Sequence, residues 1–331
     1  MRCIADKGTD PYFNLAAEEF LLKECHGPIF RLWRNAPSII IGNNQNAAAE
    51  INGRFVHEHN IPVVRRLTGG GAVFHDLGNI NFTFIDSRVD GEDTSAMFAR
   101  FTAPVIAALR KLGVEAYLEG RNDLLIDGRK FSGNAICIHR DRVLQHGTLL
   151  FSASIADLSG ALNARPEKFI GKGVQSNRSR VTNISEHLPT AMNIESFMEY
   201  IFQEISVGED TRYTPEEIAA IEELRNEKYI TSEWNWGKSP KYSYTNSIKI
   251  PSGFVEVFLD VEKGVIKECR IFGDYFFTAP TSELEGVLKG VLNRYDDIFA
   301  AVSSVDIDKY IAGMTPEILT GLIQTSSHPQ D

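Results

Sequence analysis

Between Val63 and Asn79 the chain reads VVRRLTGGGAVFHDLGN. Two adjacent arginines, Arg65 and Arg66, precede a glycine triplet, Gly69 to Gly71, and then His75 and Asp76. Successive glycines carry no Cβ, so their amides can turn inward and a ligand can approach the main chain closely. Arginine adds a fixed charge in a fork that matches phosphate or carboxylate. The chemistry such a loop can do is to hold a small anion. It is not a P-loop, because no Gly-Lys-Ser/Thr follows. Nor is it a dinucleotide fingerprint, because the glycine spacing differs and a strand, not a helix, is expected next. The same composition also describes a bulged turn between strands with its arginines in solvent, and the loop alone does not choose between the two.

Two further stretches bear on the choice. Lys130 stands in GRKFSGNA, just past Asp127-Gly128, among the small residues Ser132, Gly133 and Ala135. A lone strand lysine is usually solvated, but one in such surroundings has room to meet a ligand as a compact point charge. His146-Gly147 opens the strand HGTLLF. There the glycine leaves the backbone accessible, although a single histidine is more often structural than catalytic.

The elements that must position these residues can be read from hydrophobic period and turn chemistry. Asp127-Gly128 between two strand-like runs predicts a tight hairpin, since its turn needs positive backbone angles that Asp and Gly tolerate. RCIADKGTDPYFNLAAEEFLL predicts a strand, a turn and an amphipathic helix. PIFRLWR, PSIIIGN, NINFTFID and VLQHGTLLFS alternate as strands do. Phe98, Phe101, Val105, Leu109 and Leu112 step by three and four along one helical face, with Pro104 expected to kink or break it. Helices are expected around Ile155 to Leu162 and along Ile194, Phe197, Ile201 and Ile205. Another opens at Thr214, where Pro215 fits the first turn and Glu217 can close a capping box. Near Pro240 the character changes to a polar, aromatic, turn-rich stretch. After it come FVEVFLDV and VIKECRIFG, joined by Glu262, Lys263 and Gly264, and then two or three helices. The expected division is 1–240 and 241–331.

With 331 residues, two domains are a fair prior. A net charge of -10 and a pI near 5.4 argue against a general nucleic-acid or membrane-surface binder, which needs a broad basic face. No apolar run reaches the roughly 20 residues that span a bilayer. Cys3, Cys25, Cys137 and Cys269 are scattered, with no C-x-x-C pair and no secretory leader expected ahead of them. Reduced thiols in a cytoplasmic protein are the simplest reading. His57 and His59 lie two apart on different faces and are not read as a metal pair.

RRLTGGGAVFHDLGNINFTFI, GRNDLLIDGRKFSGNA, HGTLLF and KGVQSNRSRVTNI, in that order and spacing, resemble the signature blocks of the lipoate–protein ligase family. FNLAAEEFLL with LWRNAPSIIIGNNQN resembles its start, and WNWGKSPKYSYT with GFVEVFLDVEKGVIKECRIFGD resembles the accessory domain of its longer members. The resemblance implies an α+β fold, with a mixed-sheet catalytic domain flanked by helices and a small α+β C-terminal domain. That catalytic fold is the one shared with biotin ligases and related to class II aminoacyl-tRNA synthetases. It implies two steps: the carboxylate of lipoate attacks the α-phosphate of ATP, and a lysine of a lipoyl domain then attacks the lipoyl-adenylate, releasing AMP. Lys130 matches the lysine that bridges carboxylate and α-phosphate. Arg66 and the run Gly71-Ala72-Val73-Phe74 match the ATP-binding block, and Gly70, His75 and Asn79 match positions near the lipoyl end. Asp123 matches a carboxylate near the adenylate, acting through Mg²⁺, and His146 lies against the acyl tail. Arg178 and Arg180 fall in a segment that covers the adenylate. Implied partners are lipoate and the lipoyl domains of 2-oxoacid dehydrogenase E2 subunits or the glycine cleavage H protein, with a monomer sufficient. The departures are Thr68, where the family often has Ser, and Asn134, where many members have a small residue.

Each match has a plainer reading: His75 orienting the loop, Asp123 pairing with Arg121, Arg178 and Arg180 in solvent. Three rivals remain. One is an acyl transferase working through a cysteine thioester, for which Cys137 is the cysteine near the lysine hairpin. The others are a biotin ligase, whose glycine loop differs, and a non-catalytic binder of lipoate or lipoyl domains.

Overall fold

The computed structural model describes residues 1–45, 47–51, 56, 59–154, 181–207, 211–236, 244–262, 264–293 and 295–324. The expected helix at 155–162, Arg178, Arg180 and the neighbourhood of Pro240 lie outside them.

Seven strands form the main sheet, in the order β1-β2-β6-β10-β9-β8-β7. They are β1 (Arg2–Ala5), β2 (Ile29–Trp33), β6 (Asn79–Ser87), β7 (Ala116–Glu119), β8 (Asp123–Ile126), β9 (Arg129–His139) and β10 (Arg142–Leu150). β1 and β2 are parallel and the other neighbours antiparallel, so the sheet is mixed. A small sheet, β4-β3-β5, is built from β3 (Ser38–Ile41), β4 (Val63–Arg65) and β5 (Val73–His75), with the short helix α2 (Ala47–Glu50) between β3 and β4 in the chain.

The period-two rule explains how the main sheet serves two purposes. Along β6, Ile80, Phe82 and Phe84 point one way into the largest apolar cluster. Helix α3 (Thr94–Lys111) brings Phe98, Phe101, Val105 and Leu109 to that face, and α4 (Ile194–Ile205) brings Phe197, Ile201 and Ile205. Asn79, Asn81 and Thr83 alternate with these apolar residues and point the other way, yet all three are buried. A polar face that is buried has to be satisfied by something, and this one faces α1 (Pro11–Lys23) and the small sheet. The expected break at Pro104 does not occur: α3 runs through it. Pro104 is only half-buried, while Phe101 and Val105 hold the helix to the sheet on either side of it.

The hairpin between β8 and β9 turns on Asp127 (φ 49°) and Gly128 (φ 73°), the pair of positive angles expected of that sequence. Thr214 and Glu217 form the full capping box ahead of α5 (Pro215–Leu224), and α6 is the short turn Ser232–Trp236.

The C-terminal sheet has three antiparallel strands: β11 (Tyr244–Ile250), β12 (Gly253–Glu262) and β13 (Val265–Gly273). Val255, Val257, Leu259 and Ile271 pack against α7 (Thr281–Leu288), α8 (Tyr295–Ser303) and α9 (Pro316–Gln324) in a core of their own. This unit is docked on the first. Gly273 N donates to Asn44 O at 2.8 Å, and Phe276 stacks edge-on against Phe98 at 5.7 Å.

Candidate active site

The buried polar face of β6, the end of β10, the lysine hairpin and the glycine loop enclose a cavity of about 380 Å³. That is within the range of small-ligand pockets. Trp33, Asn81, His146, Thr148, Gly133 and Ala135 line its sheet side, and Gly70, Gly71, Ala72 and Val73 line the opposite side. Arg121, Asn122, Asp123 and Lys130 stand together in its wall, and Gly253, Asp274 and Phe276 of the C-terminal unit close part of the rim.

Arg66 shapes the glycine loop. Its Nε donates to Thr68 Oγ1 at 2.8 Å, its Nη2 to the carbonyls of Gly69 (2.6 Å) and Gly71 (2.8 Å), and its Nη1 to Ile40 O at 3.2 Å. With its carbonyls gathered around one guanidinium, the loop presents Gly70 at φ 88°, in the left-handed region that favours glycine. Arg66 is buried, and burial pushes its pKa down to about 10. Arg65 does not reach the cavity. It is fully buried and donates to the carbonyls of Gly42, Asn43, Gln45, Trp234 and Asn235. Of the two arginines singled out beside the glycine triplet, one is therefore a structural brace.

Lys130 is the first residue after Arg129 on β9, and its Nζ lies 2.7 Å from Asp123 Oδ1 across the hairpin. Both groups are partly exposed. A Cβ built on Gly133 would stand 3.0 Å from that Nζ, so the small residue there leaves the amine its place. The main chain of Lys130 is fixed on its other side by a bridge to Val181, with Thr182 N donating to Lys130 O at 2.9 Å.

His146 is held at both ring nitrogens, Nε2 to Thr68 Oγ1 (2.8 Å) and Nδ1 to Glu18 (3.0 Å). Burial opposes charge on Glu18, yet His146, the Thr83 hydroxyl and Arg31 together hold its carboxyl below the usual range. Trp33 Nε1 donates to that same hydroxyl at 2.9 Å, so one side of the cavity is braced from Trp33 to Arg66 by an unbroken chain of hydrogen bonds. His75 is buried and lines the cavity; burial first, then Arg66 and His146, push its pKa down to about 3.

Comparisons with known proteins identify the family. The family model described as the lipoyl protein ligase A/B catalytic domain matches residues 10–206, and that of the bacterial lipoate protein ligase C-terminus matches 239–323. The chain belongs to the lipoyl protein ligase A/B family. It is 43% identical to lipoate-protein ligase LplJ of Bacillus subtilis, covering 95% of this chain and 97% of that one. It is 42% identical to lipoate–protein ligase 1 of Staphylococcus aureus, covering 91% and 93%. Among solved structures, P. falciparum LipL1 in complex with lipoate superposes with a TM-score of 0.74 at 28% identity, covering 92% of this chain and 94% of that one. A bi-partite lipoate protein ligase from Thermoplasma acidophilum, from a study of that ligase and its E2 lipoyl domain, gives 0.65 at 30% identity, covering 72% and 97%. A lipoate-protein ligase A bound with ATP gives 0.63 at 28% identity, covering 72% and 98%.

For this member of the family, the structure gathers Arg66, Gly70, Gly71, Ala72, Val73, His75, Asp123, Lys130 and His146 around one cavity. It does not bring Phe74 or Asn79 to the lining. Phe74 turns its ring into the apolar cluster of Ile39, Ile41 and Val63, and Asn79 donates to Asn81 Oδ1 at 3.1 Å from behind the lining. Asn134, the polar departure beside Lys130, spends its amide on Asn122 O and Ser132 Oγ. Thr68, the other departure, uses its hydroxyl as the link between Arg66 and His146. The residues missed from sequence are Trp33, Glu18, Asn81, Arg121 and the C-terminal rim. A signal existed for Asn81 and Glu18: each is a polar residue inside an otherwise apolar periodic run. None existed for Gly253, Asp274 and Phe276, whose approach to the cavity depends on how the two units dock. Among the described residues there is no cluster of three metal-binding side chains, and no helix is long and apolar enough to cross a membrane.

Proposed function

We propose that this chain is an ATP-dependent lipoate–protein ligase that joins lipoate to ATP as lipoyl-adenylate and passes the lipoyl group to a lysine of a lipoyl domain. The observation that carries the reading is that the Lys130 amine, beside Asp123, opens on the same cavity as the glycine loop. Lipoate carboxylate and the α-phosphate are both anions and repel each other. A compact cation between them offsets that repulsion, and the glycine loop, which lets a ligand approach its main chain closely, helps hold the reacting atoms in line. Bond making in the first step is between a carboxylate oxygen and the α-phosphorus, with pyrophosphate leaving. In the second, an amine attacks the acyl carbon and AMP leaves. Neither step needs a covalent enzyme intermediate.

Arg66 keeps the loop in its donor shape and adds positive potential. His146, Trp33 and Leu15 border the cavity away from Lys130 and suit the acyl chain. Arg178 and Arg180 belong to the family's adenylate-covering segment. Of the carboxylates that line the cavity, Asp123 is the one paired with Lys130, which fits Mg²⁺, an ion that keeps most of its waters and shares phosphate oxygens. When bound, it would neutralise charge on the polyphosphate. Cys137 does not line the cavity, and burial pushes its thiol up to about 12, which speaks against a thioester route.

The test is pyrophosphate release with lipoate, octanoate or biotin, for the wild type and Lys130→Ala. Lipoate should support release and biotin should not. The substitution should lower it by about 10²- to 10³-fold, the scale for removing one charge-stabilising group. The Lys130–Asp123 pair is partly exposed, so the fold should survive with a loss of at most about 1 kcal/mol. Full activity of Lys130→Ala would end the reading.

A further inference from the structure

Asn14 is fully buried in the first turns of α1. Its Nδ2, with two protons, has three acceptors and no donor within reach, Gly8 O (3.1 Å), Arg34 O (2.9 Å) and Asn35 Oδ1 (3.0 Å), and its Oδ1 accepts from Arg31 Nη2 at 2.5 Å. A guanidinium can only donate and a main-chain carbonyl can only accept. The direction of the Asn14 amide therefore has one solution. Asn35, also fully buried, inherits it: its oxygen is taken by Asn14, so its NH₂ faces His75 Nδ1 at 3.1 Å. That nitrogen must accept, which puts the ring proton on Nε2. His75 Nε2 is buried and has no protein partner, and the ring lines the cavity that holds Lys130.

We propose that Arg31, Asn14 and Asn35 form a relay that fixes the Nε2–H tautomer of His75, so that the ring presents a neutral donor to the acyl oxygen of the substrate. This rests on the acyl-adenylate reading above. When the incoming lysine amine attacks the acyl carbon, a C–N bond forms and the carbonyl electron pair moves onto oxygen. The pair then returns, the C–O bond to phosphate breaks, AMP leaves, and the nitrogen gives its surplus proton to water. A donor aimed at that oxygen is worth most while the oxygen carries charge. The His75 proton stays on the ring throughout. A neutral ring also avoids placing a third cation beside Arg66 and Lys130, and its burial between Arg66 and His146 keeps it uncharged at neutral pH. Asn14 and Asn35 are positioning residues, while His75 meets the substrate.

The experiment combines long-range ¹H–¹⁵N NMR of the histidine rings with single-turnover transfer from pre-formed lipoyl-adenylate to a lipoyl domain. The wild-type ring should carry its proton on Nε2. Asn35→Asp replaces the donor facing Nδ1 by an acceptor, so the ring should move its proton to Nδ1. The transfer rate constant should then fall roughly 10²-fold, with the KM for the lipoyl domain unchanged. A wild-type ring protonated on Nδ1 overturns the relay, and this measurement needs no variant to fold. So does a variant whose ring has flipped but whose transfer rate is that of the wild type. Should the variant ring be protonated on both nitrogens, the donor is kept and activity must be kept with it; loss of transfer in that state also overturns the proposal. A wild type that releases no pyrophosphate with lipoate sinks the ligase reading instead, and leaves the tautomer to be read on its own.

Discussion

Arg66→Lys keeps the charge beside the glycine loop and removes the fork, so it separates the two things the residue does. The guanidinium reaches four acceptors that lie on different sides of it: Thr68 Oγ1, Gly69 O, Gly71 O and Ile40 O. An ammonium places three protons on one atom and cannot span that arrangement. At least two acceptors lose their partner, and hydrogen bonds to charged groups contribute about 1.5–3 kcal/mol each, so the gross loss is about 3–6 kcal/mol. Part of it appears as lower stability. The rest appears as a loop that no longer keeps its shape around the cavity. If half of the lower figure is lost from nucleotide binding, about 1.5 kcal/mol, kcat/KM for ATP falls about tenfold, and the full figure gives about 10²-fold. The assay is ATP-dependent pyrophosphate release at saturating lipoate, read beside the thermal midpoint. Should Arg66→Lys keep kcat/KM for ATP within threefold of the wild type while remaining folded, the loop's shape does not depend on the fork, and Arg66 acts through its charge alone.

Three more expectations follow from particular contacts. Cys137→Ser should leave ATP-dependent lipoylation within about twofold, because the thiol is outside the cavity and held protonated by burial; loss of transfer would restore the thioester route. Thr214→Ala removes the side-chain half of the capping box on α5 and should cost about 1 kcal/mol in urea unfolding, with kcat unchanged. His75 has a folded pKa of about 3 against 6.5 unfolded, so the unfolded chain binds the extra proton first. Stability is full above pH 6.5 and falls as pH drops toward 3, at up to about 1.4 kcal/mol per unit. Between pH 6.5 and 5 this slope precedes the window of Glu18, which opens only near its unfolded value of about 4.3. His75→Gln should flatten it, and an unchanged slope in that variant would assign it to another group.

The parts of the site legible in the sequence were those where local chemistry has few solutions. Asp127-Gly128 allowed one turn, and that turn places Lys130. The glycine triplet beside two arginines allowed an anion-holding loop or a bulged turn, and the surroundings of Lys130 and His146 bore on the choice. What was not legible depended on which neighbour arrives from far along the chain. Arg65 and Arg66 are adjacent and alike, yet the carbonyls of Trp234 and Asn235 claim the first, and only the second faces the ligand cavity. Strand β11 escaped notice because it is an edge strand whose outward positions are polar, and its alternation is weak: Thr245, Ser247 and Lys249 are exposed and only Ile250 is fully buried. Pro104 did not end its helix, because Phe101 and Val105 engage the inner side around it. Glu18 and Asn81 were readable in principle, as polar residues interrupting apolar faces, but a single such residue is also what a satisfied core polar group looks like.

The site's electrostatics follow from where its cations are kept. Arg66 and Arg121 are each pushed down to about 10 by burial, so the folded protein holds positive charge in a place that disfavours it. Arg121 is further tied to the C-terminal unit: its guanidinium stacks on the Phe276 ring at 3.8 Å and donates to Ser252 O, while Asp123 and Asp274 offset its charge. A polyanion entering the cavity offsets the desolvation cost that both arginines bear and meets positive charge already in place, which is how preorganised charge lowers a barrier. The same anion competes with Asp123 for Lys130 and with Phe276 and Ser252 for Arg121. Competition for Arg121 predicts that nucleotide binding weakens its contact with the C-terminal unit. A side chain that keeps the stack on Phe276 but carries no charge should remove the part of that link that runs through Arg121, while Gly253, Asp274 and Phe276 still line the cavity.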